Sequence, residues 1–390
     1  MDGGEEAAGA TARSILRRES EAAHQVTFFE LFFDLVFVFS VTQLSHGLLE
    51  RLTISGAFQT LLLLLAVWWA WVYTAWATNW LDPDNRQVRL VLIGVMGASL
   101  VMAASLPDAF ADRGLVFAAM YTLIQVGRSG FVLWAFRNHP IQRRNFTRIV
   151  TWQVAASAVW LLGGFAEGST REVIWVAALL VDYAGPAASF RIPGFGPSRT
   201  SDWTVAGSHF AERFKLFVIL ALGESILVTG ATFSGLETTA STLAAFGMAF
   251  VGSVALWWIY FDRAADAASG VLQGSTDPGR LARSAYTYFH LPIAAGIIVT
   301  AVADELIIAH PDGHADPATV AVTLGGPALF LLGHALYKRA IFGVVSVPRV
   351  TAIVGLALLA PVGTSLAPLV LGALAALIVI GVAVWDTLRT

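Results

Sequence analysis

The chain has 390 residues, 56% of them apolar and 13% charged, with a mean hydropathy of +0.69; soluble domains are about 25% charged, so a soluble globular protein is all but excluded. A net charge of −3 leaves no basic excess to hold a nucleic-acid backbone, and nucleic acid is not an expected partner. The absence of cysteine removes disulfides, thiolate metal sites and cysteine nucleophiles.

In chain order, residues 1–27 are rich in Ala, Glu and Arg and lack the apolar run of a cleaved signal. They are expected to be a poorly ordered cytoplasmic N-terminal tail whose Arg13, Arg17 and Arg18 touch anionic lipid. Twelve apolar segments then approach the roughly 20 residues that a helix needs to cross a bilayer: 28–49, 56–79, 88–106, 114–136, 149–166, 172–190, 213–233, 240–262, 284–308, 319–338, 350–366 and 368–386. Only Ala367 and Pro368 separate the last two, and Pro361 lies inside the eleventh, so one broken hairpin or a re-entrant pair is the alternative there. Twenty of the 24 Lys and Arg residues fall on one side of this arrangement. Arg51, Arg113 and Arg171 fall on the other, and Arg128 lies within the fourth segment. Because basic residues accumulate on the cytoplasmic side, both termini are predicted to be cytoplasmic.

Residues 191–212, RIPGFGPSRTSDWTVAGSHFAE, form a Pro/Gly/Ser-rich cytoplasmic linker between a first six-helix half, 28–190, and a second, 213–390. An offset of 185 pairs His24 with His209, Phe29 with Phe214, Leu31 with Leu216, Phe32 with Phe217, Leu35 with Leu220 and Ser40 with Ser225. An offset of 189 pairs Trp68-Trp69 with Trp257-Trp258. The fold expected is therefore an all-α polytopic transmembrane bundle of about twelve helices in two parallel six-helix halves. The alternative is that helices rich in Phe and Leu align by chance.

Ionisable residues within a span cost about 2.5–3.5 kcal/mol each on insertion scales, so each needs a partner, a cavity or a function. Glu30 and Asp34 are four residues apart and share one face of the first helix. Arg128, in the fourth, lies at a similar depth, which predicts an Asp34–Arg128 pair. Asp182 and Glu224 sit near the midplane, and His290 and His334 in the inner half. Four carboxylates against one Arg leave an excess that protonation, water or a bound cation must relieve, as a proton relay or cation site would. Asp34, Arg128 and Glu224 are accordingly expected to face one internal cavity. A buried ion pair fixing helix register is the structural alternative for Glu30, Asp34 and Arg128. Asp262, Asp266, Asp304 and Glu305 lie at span ends and read as solvated. The run Trp68, Trp69, Trp71, Trp76 and Trp80 reads as interfacial anchoring and packing, with a cation-binding aromatic cage as the minor alternative. His209 and Glu212 are two metal-ligand types on one face, too few to make a site; no metal or other cofactor is expected.

No phosphate-binding loop, dinucleotide fingerprint, zinc-protease motif or serine-hydrolase elbow occurs. The loop WLDPDNRQ lacks the Gly-x-x-x-Asp-Arg type motif of the major facilitator superfamily, which excludes that assignment. TFFELFFDLVFVFSVTQLSHG (27–47), with its Glu30–Val38 core, and SHFAERFKLFVILALGESIL (208–227), with Glu212-Arg213 and Leu222–Ser225, resemble the two most recognisable segments of the bacterial low temperature requirement A membrane protein family. That resemblance implies a multi-pass inner-membrane protein and supplies no substrate, since the family's biochemical activity is not established. Phe33-Asp34 is also weakly similar to the Phe-Ser-Asp motif of a potassium-channel family with two six-helix repeats.

The expectation is a proton- or cation-coupled transporter of an unknown solute, embedded in the lipid bilayer, with Glu30, Asp34, Arg128, Asp182, Glu224 and His290 as candidate ion- or substrate-binding residues. A cation channel, an intramembrane or lipid-modifying enzyme, and a non-catalytic scaffold are the alternatives.

Overall fold

A computed structural model describes residues 14–17, 26–203, 205–261 and 264–388, with only the backbone at residues 201 and 264–266. The described residues are helical and contain no strand, the extended pairs Leu16–Leu81 and Ile192–Gly196 being isolated. In chain order the helices are α1 (Phe28–Glu50), α2 (Ile54–Trp80), α3 (Arg86–Ser105), α4 (Gly114–Ala135), α5 (Pro140–Phe165), α6 (Gly168–Ala187) and α7 (Gly207–Ser234). They continue with α8 (Ala240–Phe261), the short α9 (Ala264–Gln273), α10 (Pro278–Ala309), α11 (Pro317–Phe342), α12 (Val347–Gly363) and α13 (Pro368–Leu388).

All twelve apolar segments of the sequence thus coincide with a helix. Nine of these helices are long and apolar enough to cross a membrane among the described residues. Of the other three, α12 has 17 residues, and α5 and α6 are long enough but more polar. The short α9 was not expected from the sequence.

Capping chemistry sets the boundaries. Thr27 and Glu30 form a reciprocal capping box at the start of α1, and Thr53 and Asn85 cap α2 and α3 through their side chains. Pro140 at the first turn of α5 starts that helix nine residues earlier than apolarity alone suggested. The helix α7 starts at Gly207, so the last six residues of the 191–212 linker, including His209 and Glu212, are helical. Asp316 and Pro317 open α11, and Gly343 in the left-handed conformation closes it. Pro361 does not interrupt α12, and the turn before Pro368 separates it from α13 as a second helix.

Two helices contain a stretch of wider π-type turns, Leu123–Gly127 in α4 and Ala282–Tyr288 in α10; such irregularities often mark functional positions. The helix α1 packs against α2, α3, α7 and α10 and is central to the bundle. Around it lies the largest core cluster, dominated by Phe33, Phe37, Trp68, Trp69, Trp71 and Phe214. A second cluster draws on α7, α8, α10, α11, α12 and α13. Leu90, Leu162, Phe165, Leu227 and Leu377 point outward, as lipid-facing residues do.

Candidate functional site

Two helices bring two i,i+4 pairs face to face: Glu30 and Asp34 from α1, His209 and Arg213 from α7. All four side chains are buried. Arg213 donates Nη2 to Asp34 Oδ1 at 2.6 Å and Nη1 to Glu30 Oε1 at 3.2 Å. A second bond from Nη1 reaches Thr78 Oγ1 of α2 at 2.9 Å. His209 Nε2 lies 3.0 Å from Glu30 Oε1, and Trp71 of α2 donates its indole N–H to Asp34 Oδ1 at 2.8 Å. Glu30 also closes the α1 cap by accepting from the Thr27 N–H and hydroxyl, each at 3.0 Å. From the N-terminal segment Arg17 reaches the same carboxylate at 3.1 Å, while its backbone N–H donates to the Trp80 carbonyl.

Arg17 is therefore a buried partner of the site rather than a lipid-contacting residue; Arg13 and Arg18 lie outside the described residues. Two carboxylates face two guanidinium groups, which removes much of the negative excess counted from the sequence. Three polar atoms of this cluster, Asp34 Oδ2, Arg213 Nε and His209 Nδ1, are buried without a hydrogen-bond partner. In a low-dielectric interior such atoms carry a desolvation cost, which a proton, water or ion would relieve.

Arg128 does not pair with Asp34. It donates to the Ala70 carbonyl and the Thr74 hydroxyl of α2, each at 3.0 Å, and to Gln125 Oε1, and it lies over the Tyr73 ring. The reason is rotational: Arg128 sits at the end of the wider α4 turns, which orient it toward a second cluster. There Asp182 accepts from the Tyr121 hydroxyl and the Trp160 indole, both at 2.8 Å, and Gln125 links Tyr121 to Arg128.

Glu224 lies on the α1–α7 seam but away from the Asp34–Arg213 pair. It accepts from Thr42 Oγ1, which is eight residues, or about 12 Å, further along α1 than Asp34. It lines a separate void of about 10 Å³ together with Thr42, Ser45 and Ser225. Asp34, Arg128 and Glu224 thus occupy three places, and the single shared cavity expected from the sequence is not formed.

His290 lies apart as well. Its Nδ1 faces the Ala285 carbonyl at 3.0 Å and its Nε2 the Tyr260 hydroxyl at 2.8 Å. A carbonyl only accepts, so neutral imidazole satisfies both contacts, with Nε2 accepting from Tyr260. His334 accepts from Arg349, which pairs with Asp386 at 2.6 Å. Among the described residues no group of three or more His, Asp or Glu is arranged to hold a metal. Of the two ligand-type residues on one face, His209 turns to Glu30 while Glu212 accepts from the Val26 N–H.

Beside the ionic cluster lies a cavity of about 70 Å³, walled by Trp69, Tyr73, Trp76, Trp80, Trp203 and Tyr288, with Arg283 and Thr287 among its polar lining. The wider turns of α10 supply Arg283, Thr287 and Tyr288 to it. Ser189 and Phe190, consecutive non-glycine residues with φ of 53° and 47°, complete its wall; such conformations cost about 1–3 kcal/mol each and persist where surrounding contacts impose them. The Phe190 N–H donates to the Gly185 carbonyl and the Ser198 N–H to that of Ser189. The Trp run is thus mostly interior: Trp68, Trp69 and Trp71 are buried, and Trp68 and Trp76 donate to the carbonyl and hydroxyl of Thr287.

Sequence reading missed Arg17, Trp71, Thr78, His209 and Arg213 as members of the ionic cluster. A usable signal existed for two of them, since His209 and Arg213 repeat the i,i+4 spacing of Glu30 and Asp34. The charge bias of the sequence places Arg213 among the cytoplasmic basic residues instead.

An uncharacterized protein of Rhizobium meliloti (strain 1021), RA0937, is 39% identical over 373 residues, covering 95% of this chain and 91% of its own length. No solved structure matches the chain. The sequence profile of the bacterial low temperature requirement A proteins matches residues 25–384, and the chain belongs to that family.

Proposed function

We propose that the protein is a transporter that couples movement of a proton or monovalent cation to that of a solute, with the Glu30–His209–Arg213–Asp34 cluster as the ion site. The observation that carries this reading is the set of buried, unpartnered polar atoms, Asp34 Oδ2, Arg213 Nε and His209 Nδ1, within an otherwise paired cluster. Adding or removing one positive charge at Asp34 changes its attraction to Arg213 and so the contact between α1 and α7.

The helix α2 couples that change to a solute site. It presents Trp71 and Thr78 to the ion cluster and Trp69, Tyr73, Trp76 and Trp80 to the aromatic cavity. Glu224 and Thr42 continue the polar seam between α1 and α7, while the linked Arg128 and Asp182 brace α2 against α4 and α6. In this reading twelve helices form two parallel six-helix halves in the inner membrane with both termini cytoplasmic, supported by the charge bias of the loops. His290, satisfied by neutral packing partners, has no part in the ion site.

The test is proton and alkali-cation flux in proteoliposomes under an imposed gradient. Flux is expected for the unaltered protein and at least a tenfold loss in Asp34→Asn and Glu224→Gln, both compared at equal reconstituted, folded protein. Full flux in both variants would overturn the assignment. Solute-dependent saturation and counterflow distinguish the transporter from a channel, which would conduct without them.

A further inference from the structure

Asp304 reads from the sequence as a solvated residue near a span end, yet α10 continues to Ala309 and the residue is only 6% exposed. Among the described residues it has no hydrogen-bond or ionic partner, and its Oδ2 is fully buried. It lines a partly open cavity of about 30 Å³ between α8, α10, α11 and α13. Thr323 of α11 lines the same cavity, 3% exposed, and its Oγ1 is also buried without a partner. Thr300 is a third oxygen-bearing neighbour; its hydroxyl donates to the Gly296 carbonyl at 2.7 Å, leaving its lone pairs free to act as ligands.

Covalent structure also leaves one backbone carbonyl of the lining residues without its usual donor. Pro327, inside α11 and itself part of the cavity wall, has no N–H, so the carbonyl four residues earlier, that of Thr323, lacks its helical donor. The remaining wall, including Met248, Leu256, Ile307 and Val379, is apolar, and Asp304 is the one titratable group among the lining residues.

We infer that Asp304 and Thr323 form a binding site for a partly dehydrated, sodium-sized monovalent cation. A carboxylate left alone in an apolar membrane interior is heavily penalised, and a single positive charge placed on it offsets part of that penalty. The cavity has room for about two water molecules, too little for an ion with its full hydration shell, so protein oxygens replace part of that shell. One carboxylate with hydroxyl and carbonyl oxygens is a hard-oxygen set of net charge −1. Calcium takes six to eight oxygens and magnesium keeps several waters, and the site provides neither. The site lies in a different set of helices from the Asp34 cluster and does not depend on the transport reading.

The experiment is thermal unfolding of the purified full chain in detergent, followed by tryptophan fluorescence in sodium, potassium and choline chloride at equal ionic strength. Sodium is expected to raise Tm in a saturable manner relative to choline, with potassium weaker. Measured in an Asp34→Asn background, so that the Asp34 cluster does not contribute, Asp304→Asn should abolish the sodium effect and Thr323→Val should raise the half-saturating concentration at least tenfold. Should Asp304→Asn fail to fold, equilibrium binding of radioactive sodium to the unaltered protein and to Thr323→Val gives the same decision. Identical melting in all three salts, or a sodium effect that survives Asp304→Asn in the Asp34→Asn background, overturns the site. So does stabilisation by acid alone, without a sodium effect, which would make Asp304 a neutral protonated carboxyl.

Discussion

Arg213 joins both carboxylates of the candidate site, because one planar guanidinium serves Glu30, Asp34 and Thr78 at once. Its replacement by Gln leaves two buried carboxylates short of a charge. Breaking a buried pair from one side costs about 3–5 kcal/mol, so Arg213→Gln should lower Tm strongly. The double variant Arg213→Gln with Asp34→Asn should recover part of that loss, as thermal unfolding in detergent would report. Arg213→Lys keeps the charge but not the fork, and should fall between the two. Outside the membrane-spanning segments, Asp316 accepts from the backbone N–H groups of Thr319 and Ala318, which hold its carboxyl below its ordinary value. A lowered carboxylate value contributes stability fully present above about pH 4, the ordinary Asp value, and lost as pH falls through the lowered one. Asp316→Asn retains the cap and should remove this acid-side component, whereas Asp316→Ala should cost about 1 kcal/mol or less at neutral pH because the cap is exposed. Acid titration of the unfolding midpoint separates the two.

At the scale of elements, the antiparallel pair α10 and α11 is joined by backbone contact rather than by large side chains. A Cβ added at Gly296 would stand 2.4 Å from the Phe330 backbone nitrogen, and one at Gly326 2.6 Å from that of Thr300. Without a hydrophobic driving force between helices in lipid, such small residues permit the packing that holds them. Gly296→Ala should therefore destabilise by about 1–3 kcal/mol through overpacking, a loss measurable by thermal unfolding. An unchanged Tm would mean that the pair separates without cost. Thr300, Asp304 and Thr323 line one cavity between these two helices, so Gly296→Ala should also weaken the sodium effect. The wider turns of α4 and α10 have a comparable consequence on the other side of the molecule. They rotate Arg128 toward Gln125 and Thr74 and bring Arg283 and Thr287 to the aromatic cavity.

For the whole molecule, the charge bias of the loops predicts which ends of the helices share a side, and the cysteine-free sequence permits a direct test. A single cysteine introduced as His139→Cys, between α4 and α5, should be labelled by an impermeant thiol reagent only after the inner side is opened. His314→Cys, between α10 and α11, should be labelled in intact cells. The reverse pattern would invert the assigned orientation. Membership of the class and the positions of its helices were legible from residue order, because a lipid solvent forces each spanning segment to satisfy its own backbone and to be apolar along its length. Neither property changes when a helix rotates about its axis. The sharing of one face by Glu30 and Asp34 was legible for a similar reason, since spacing within a helix is local. Which residue meets which is different in kind, for it depends on the rotation and neighbours of each helix. Only the tertiary structure decided that Asp34 meets Arg213 and not Arg128, that Arg17 folds back onto Glu30, and that Asp304 faces inward beside Thr323. In nearly uniform apolar helices no hydrophobic stripe marks the buried face, so packing alone assigns the polar partners.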